Sequence, residues 1–281
     1  MWLFAAPALA INAAIILVPA LLTFVTAFAA WDGIGGVPSW AGLANFHALW
    51  DDPIFWSALV NNLTWTAIFL TVPVILAILM AALMLAFPGG RTALQVVYFI
   101  PRILAVAIIG RVFQGMVYSP ATGLLGWLNQ HGFALDNPLA DPDRALFAVA
   151  AVDIWHWWGF LAVVFLSAMR QVSMDQIEAA RVDGAGFFAL LRHVLLPGIC
   201  PTVTLMLILT VIWSFTVFDF VYIITRGGPA YGSEVLSTLA YRQAFFENDV
   251  GQAAATAVVM SLFGLCATIA YIRTQSRESS A

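Results

Sequence analysis

Lysine does not occur anywhere in the 281 residues, and charged side chains of any kind make up only 9% of the chain. Without lysine there is no glycine-rich phosphate loop ending in Lys-Ser or Lys-Thr and no Schiff-base amine, which excludes P-loop ATP hydrolysis and imine chemistry on this chain. Cysteine is nearly absent too. Cys200 and Cys266 sit in or beside apolar stretches, where a small hydrophobic side chain suffices as explanation. The four histidines, His47, His131, His156 and His193, show no HExxH pair and no Cys/His ligand spacing, and no GxSxG nucleophile turn occurs. Neither catalytic residues nor a metal site are expected. A net charge of −4 also removes the basic surface that nucleic-acid binding requires.

What the chain has in abundance is apolar surface: 62% hydrophobic residues and a mean hydropathy of +0.93. These values describe an all-α polytopic membrane protein. Apolar runs of about 20 residues or more match a bilayer, and they fall at 8–31, 57–87, 94–117, 145–169, 201–224 and 251–272, six spans within a single transmembrane domain, 1–281. The first run is too long and lacks the basic start of a signal peptide, so it is read as a membrane helix. Pro73 predicts a kink or tilt in the second span, Pro101 an interruption of the third, and 124–129 a short interfacial helix. Placing Arg91, Arg170, Arg181, Arg192, Arg273 and Arg277 in the cytoplasm leaves Arg144, Arg226 and Arg242 outside with nine acids, and puts both termini inside.

One stretch between two very apolar runs stands out, 173–198. Ser173 and Gln176 have capping-box spacing, Gly184 and Gly186 permit a bend, and a second helical run closes at Pro197. Such a helix–bend–helix lies across a membrane surface with its ends fixed to two spans, so it can pass a push or rotation to them. An ordinary amphipathic connector is the plain alternative. The run from Glu178-Ala179-Ala180 through Gly184 to Pro197, EAARVDGA in its first eight residues, resembles the EAA loop of ATP-binding-cassette importer permeases. Other segments resemble the sugar branch of that family: Gly42-Leu43-Ala44-Asn45-Phe46, Tyr98-Phe99-Ile100-Pro101, Trp155 to Gly159-Phe160, and Thr225-Arg226-Gly227-Gly228-Pro229. The likeness runs from about Pro7 to Ile272. It implies a type I importer permease fold and docking to an ATPase through Glu178, Ala179, Ala180, Asp183 and Gly184. It also implies several partners: a second permease subunit, a dimer of ABC ATPases that hold the ATP-Mg, an extracytoplasmic solute-binding protein, a sugar and the lipid bilayer of a bacterial inner membrane. No cofactor is expected on this chain itself.

Ionisable side chains at bilayer depth are costly unless paired or facing water, which singles out Arg102, Arg111, Asp153 and Asp219. Carried over from the family, the substrate path falls near Arg102, Trp155, Trp158, Gly159, Trp213 and Ser214. Tryptophans there stack on sugar faces or sit at an interface, Gly159 permits close helix approach, and Asp219 is alternatively an arginine's structural partner. Arg102 stands where the family more often has an uncharged residue, so it either faces the path and favours an anionic sugar derivative, or it snorkels to the cytoplasmic surface or pairs with a protein acid and serves only topology. Secondary transport, a channel and an intramembrane enzyme are the competing classes. The first two need no EAA-like segment, and the third needs nucleophile or metal motifs that are missing.

Overall fold

The computed structural model describes residues 2–278. Its first helix, α1, runs without a break as Trp2–Asn12, a π-turn Ala13–Leu17 and Val18–Thr26. A two-residue ribbon follows, β1 (Ala29–Ala30) antiparallel to β2 (Ser39–Trp40) with Ala29 opposite Trp40, a small departure from a purely helical chain. Helix α2 (Ala44–Asp51) leads into α3 (Pro53–Ala86), which starts with Pro53 in its first turn and the Asp52 carboxylate accepting from the Ile54 N–H at 2.8 Å. Its 34 residues continue unbroken through Pro73. At about 1.5 Å per residue the helix is ~51 Å long, well beyond a hydrocarbon core, so it is accommodated by tilting or by emerging from the bilayer.

The third expected span is not one rod. α4 (Arg91–Ile103) and α5 (Val106–Val112 with a π-turn Phe113–Val117) meet at 92°. Pro101 lies inside α4, and the chain turns extended only at Leu104 and Ala105. Proline removes the N–H that would bond the Val97 carbonyl, which weakens the last turn before the break. After α6 (Leu124–Gln130), α7 (Pro142–Met169) is capped by Asp141, whose carboxylate accepts from the Asp143 N–H at 2.9 Å. Then come α8 (Met174–Val182) and α9, composed of Phe187–Leu190, a π-turn Leu191–Leu195 and Leu196–Gly198. The fifth span is also interrupted: α10 (Cys200–Phe215) ends, Thr216–Phe218 is non-helical, and α11 (Asp219–Ile224) resumes. α12 (Leu236–Phe245) and α13 (Val250–Glu278) complete the order. Among the described residues, five helical stretches are long and apolar enough to cross a membrane, with α10 and α11 taken together as Cys200–Ile224, and six when the bent α4–α5 pair counts as one span.

Helix α7 is the centre. It packs along α3 and against α4, and the main core joins Trp65 and Phe69 of α3 to Leu161, Phe165 and Leu166 of α7, extending to Ile177, Leu191 and Leu195 of α8 and α9. Gly159 sets the α7–α4 distance: a Cβ there would overlap the Tyr98 carbonyl. A second core gathers Leu49, Phe55, Phe215, Leu236, Leu239 and Ala255 around α13. Two adjacent asparagines tie these parts together. Asn62, fully buried, donates to the Ser214 carbonyl and accepts from the Leu236 N–H, both at 2.7 Å, while Asn61 donates to the Glu234 carbonyl at 2.8 Å. The amide thus links α3, α10 and α12 through groups that hydrocarbon would leave unsatisfied.

Candidate functional site: a cavity at two broken helices and an exposed bend

Two interruptions of membrane helices open on one cavity of about 220 Å³. Arg102 and Val106 bracket the break between α4 and α5, and Thr216, Val217 and Phe218 form the break between α10 and α11; all five line it. Non-helical backbone at membrane depth is tolerated where it borders protein or a wet cavity, and here the Val217 carbonyl also accepts from the Ser237 hydroxyl of α12. The walls are aromatic. Trp65 stacks on Phe69 with centroids 5.0 Å apart, and Trp157 meets Trp213 edge-on at 4.6 Å. The guanidinium of Arg102 lies 4.7 Å from the Trp157 ring, a cation–π contact, and no carboxylate comes within 4 Å of it among the described residues.

Opposite charges share this space without closing on each other. Asp153 and Asp219 line the cavity with Arg102, and His156, only 3% exposed, places Nδ1 3.6 Å from the Asp153 carboxylate and its ring 5.3 Å from Phe220. The expected arginine partner of Asp219 is not within ion-pair distance among the described residues; its carboxylate instead begins α11, where the helix dipole favours it. Ser214 spends its hydroxyl hydrogen on the Thr210 carbonyl at 2.7 Å, leaving oxygen lone pairs as acceptors.

Of the six residues expected along the path, Arg102, Trp213 and Ser214 meet at this cavity and three do not. Trp155 is 40% exposed and packs its ring 5.4 Å from Phe113, Trp158 sits 4.6 Å from Tyr98, and Gly159 is buried against the Tyr98 backbone. The face of α7 that lines the cavity carries Asp153, His156 and Trp157 instead. The signal for it was present, since Asp153 and Trp157 are one helical turn apart and Asp153 had stood out as an ionisable group at depth.

The 173–198 segment forms the second element. α8 begins at Met174 as its sequence suggests, yet the Ser173 side chain makes no cap hydrogen bond, so the capping box does not close. Its C-terminal end is the better-defined one. Gly184 has φ +83°, the Ala185 N–H reaches the Ala180 carbonyl at 2.9 Å, and the Gly184 N–H reaches the Arg181 carbonyl at 3.0 Å. That is a Schellman turn, which needs a residue comfortable at positive φ. Buried Ile177, Leu191 and Leu195 anchor the segment on the bundle. Glu178, Ala179, Asp183 and Gly184 are exposed and Ala180 half-buried, with Val182 and Phe188 standing 87% and 74% exposed beside them. The bend therefore presents one acidic edge, two small residues and two apolar knobs. Arg91 and Arg181 line one small pocket at this end of the bundle.

A membrane bundle with a cavity at its helix breaks and an exposed bend at one end has known counterparts. Residues 63–277 match the model of the binding-protein-dependent transport system inner membrane components. The chain belongs to that family. This inner membrane component is 28% identical over 96% of its length to a probable ABC transporter permease protein of Pyrococcus horikoshii, covering 93% of it. It is also 28% identical, over 96% of its length and 88% of the relative, to the sulfoquinovosyl glycerol transport system permease protein of Agrobacterium fabrum. Among solved structures, a chain of a bacterial alginate ABC transporter, in complex with an alginate pentasaccharide-bound periplasmic protein, superposes with a TM-score of 0.84. The two chains are 24% identical over 98% of this one and 94% of the other, a likeness of fold. The fold is that of a type I ABC importer permease, and the protein is a multi-pass membrane protein.

Proposed function

We propose that this chain is the permease subunit of an ATP-driven importer for a sugar, moving it through the cavity at the two helix breaks by alternating access. The observation that carries the reading is the pairing of that cavity with an exposed, anchored bend at one end of the same bundle. In this scheme a dimer of ABC ATPases docks on Glu178, Ala179, Ala180, Asp183 and Gly184, a second permease subunit completes the path, and an extracytoplasmic binding protein delivers the solute. The chain itself hydrolyses nothing, and both termini lie in the cytoplasm of a bacterial inner membrane. Aromatic faces flanked by a guanidinium, carboxylates and a hydroxyl oxygen suit a hydroxyl-rich ligand, whose C–H faces stack while its O–H groups donate to Asp153 and Asp219.

The test is uptake by the complete importer in proteoliposomes. Import is expected to require ATP and the binding protein. Gly184→Val, which puts a β-branched residue at positive φ, and Glu178→Arg are expected to lower both uptake and ATPase co-purification at least tenfold at equal membrane insertion. Parental values for both variants would remove the coupling role.

A second reading concerns charge. Arg102 has no acid within ion-pair distance among the described residues, and one relative is named for a sulfonated sugar glycoside, so an anionic sugar derivative is a specific competitor. Asp153 and Asp219 in the same walls oppose it. Arg102→Gln distinguishes the two: loss confined to an anionic sugar supports the second reading, and equal loss or no loss for neutral and anionic sugars removes it.

A further inference from the structure

The transport reading leaves a larger cavity unused, about 540 Å³, at the other end of α5 and α11. It is walled by α5, the 118–122 turn, the 137–139 loop and the 225–229 turn. The two cavities share their helices. Val106 lines the first and Gln114 the second, eight residues further along α5, roughly 12 Å at about 1.5 Å per residue. On α11, Phe220 faces the first and Ile224 the second.

Their chemistry differs. No formally charged side chain lines the larger cavity, whereas Arg102, Asp153 and Asp219 line the smaller. Some of its polar groups belong to the scaffold: Gln114 accepts from Arg111 and donates to the Ile224 carbonyl, each at 2.9 Å, and the Tyr118 hydroxyl is used by the Ala148 carbonyl at 3.0 Å. Others have capacity left. Asn137 accepts from the Leu139 N–H through Oδ1 at 3.0 Å, while its amide nitrogen has no partner among the described residues. The Ser119 and Thr122 hydroxyls lie 3.1 Å apart and share one hydrogen, so the other is free to donate. Unused N–H and O–H donors beside the Tyr118 ring, with no charge, suit an uncharged polyhydroxylated ligand that donates, accepts and stacks. An ion would meet no counter-charge in the lining itself, where the Arg111 guanidinium is engaged by Gln114.

We infer that this cavity is a second, outer binding station, through which a sugar passes between the binding protein and the cavity at the helix breaks. The inference rests on the sugar-importer reading, and the experiment separates the two. The complete importer, with its binding protein at a fixed concentration below saturation, is given glucose, maltose, trehalose, maltotriose and glucuronate in proteoliposomes. If none is imported, the sugar-importer reading falls and the outer station with it.

For the neutral sugar imported fastest, Gly115 offers a plug, since no heavy atom lies within 4 Å of a Cβ built there. Gly115→Trp is expected to lower kcat/KM for the sugar at least tenfold relative to Gly115→Ala, with sugar-free ATPase rate and complex yield within twofold. Asn137→Asp keeps the acceptor for Leu139 but removes the amide donor, and is expected to raise the sugar KM at least threefold. The Asn137→Asp result decides if Gly115→Trp fails to assemble. The station is overturned if both variants keep their sugar KM within twofold. It is equally overturned if raising the binding-protein concentration restores uptake in full, because the cavity would then be part of a protein docking face.

Discussion

Helices α1 and α7 both cross the membrane by length and composition, yet they obey different rules. The most apolar 18 residues of Ala6–Thr26 have a mean hydropathy of 2.4 and none of them is buried, whereas the most apolar 18 residues of Pro142–Met169 have a mean hydropathy of 1.7 and 56% of them are buried. The more hydrophobic helix is the peripheral one. In water the order would be reversed, but lipid tails are as apolar as leucine, so burial gains α1 little. What draws α7 inward is polar and small side chains: Asp153, His156 and Gly159, which hydrocarbon penalises or which permit close backbone approach.

The comparison can be broken at three places. Gly159→Leu places a side chain where α4 backbone already lies, and is expected to destabilise the subunit by about 3 kcal/mol, enough to lose folded protein on purification in mild detergent. Wild-type yield and melting temperature would show that the α7–α4 approach does not depend on glycine. Asn62→Leu removes a buried amide that bonds two chain segments, leaving the Leu236 N–H and Ser214 carbonyl without that partner, for an expected loss of about 2 kcal/mol seen as a lower melting temperature. An unchanged melting temperature would mean that apolar packing alone holds α3, α10 and α12 together. On α1, Ile15→Ala and Leu21→Ala alter side chains 68% and 64% exposed, and should change stability by less than about 0.5 kcal/mol in detergent. A loss as large as that of Asn62→Leu would show that α1 is held by tertiary packing.

Hydropathy located α3, α7 and α13 to within a few residues at their starts, because a bilayer fixes the length of an apolar run. It could not show that α4 and α5 turn by 92°, since a bend changes direction and leaves composition untouched. Pro101 marked the neighbourhood, but the turn falls at Leu104 and Ala105, where the helical bonding ends. The tryptophan cluster of α7 was legible as a cluster, while its face toward the cavity showed only in the one-turn spacing of Asp153 and Trp157; packing against α4, α5 and α10 is what separates Trp158 and Trp155 from Trp157. The bend after α8 was the opposite case. Its conformation is local, set by Gly184 and the carbonyls of one preceding turn, and local chemistry is what a sequence spells out directly.

The two non-helical links, Leu104–Ala105 between the cavity-lining Arg102 and Val106, and Thr216–Phe218, flank one cavity and so occupy one level of the bundle. A helix transmits axial force as a strut, but a link of two or three residues outside the hydrogen-bond ladder transmits it poorly and swivels. Displacement arriving along α4 and α10 therefore reaches α5 and α11 through joints, while α3 and α7 pass the same level as continuous beams. The cavity sits at the articulation, so relative movement of the two halves changes the shape of its walls before it changes anything else in the bundle.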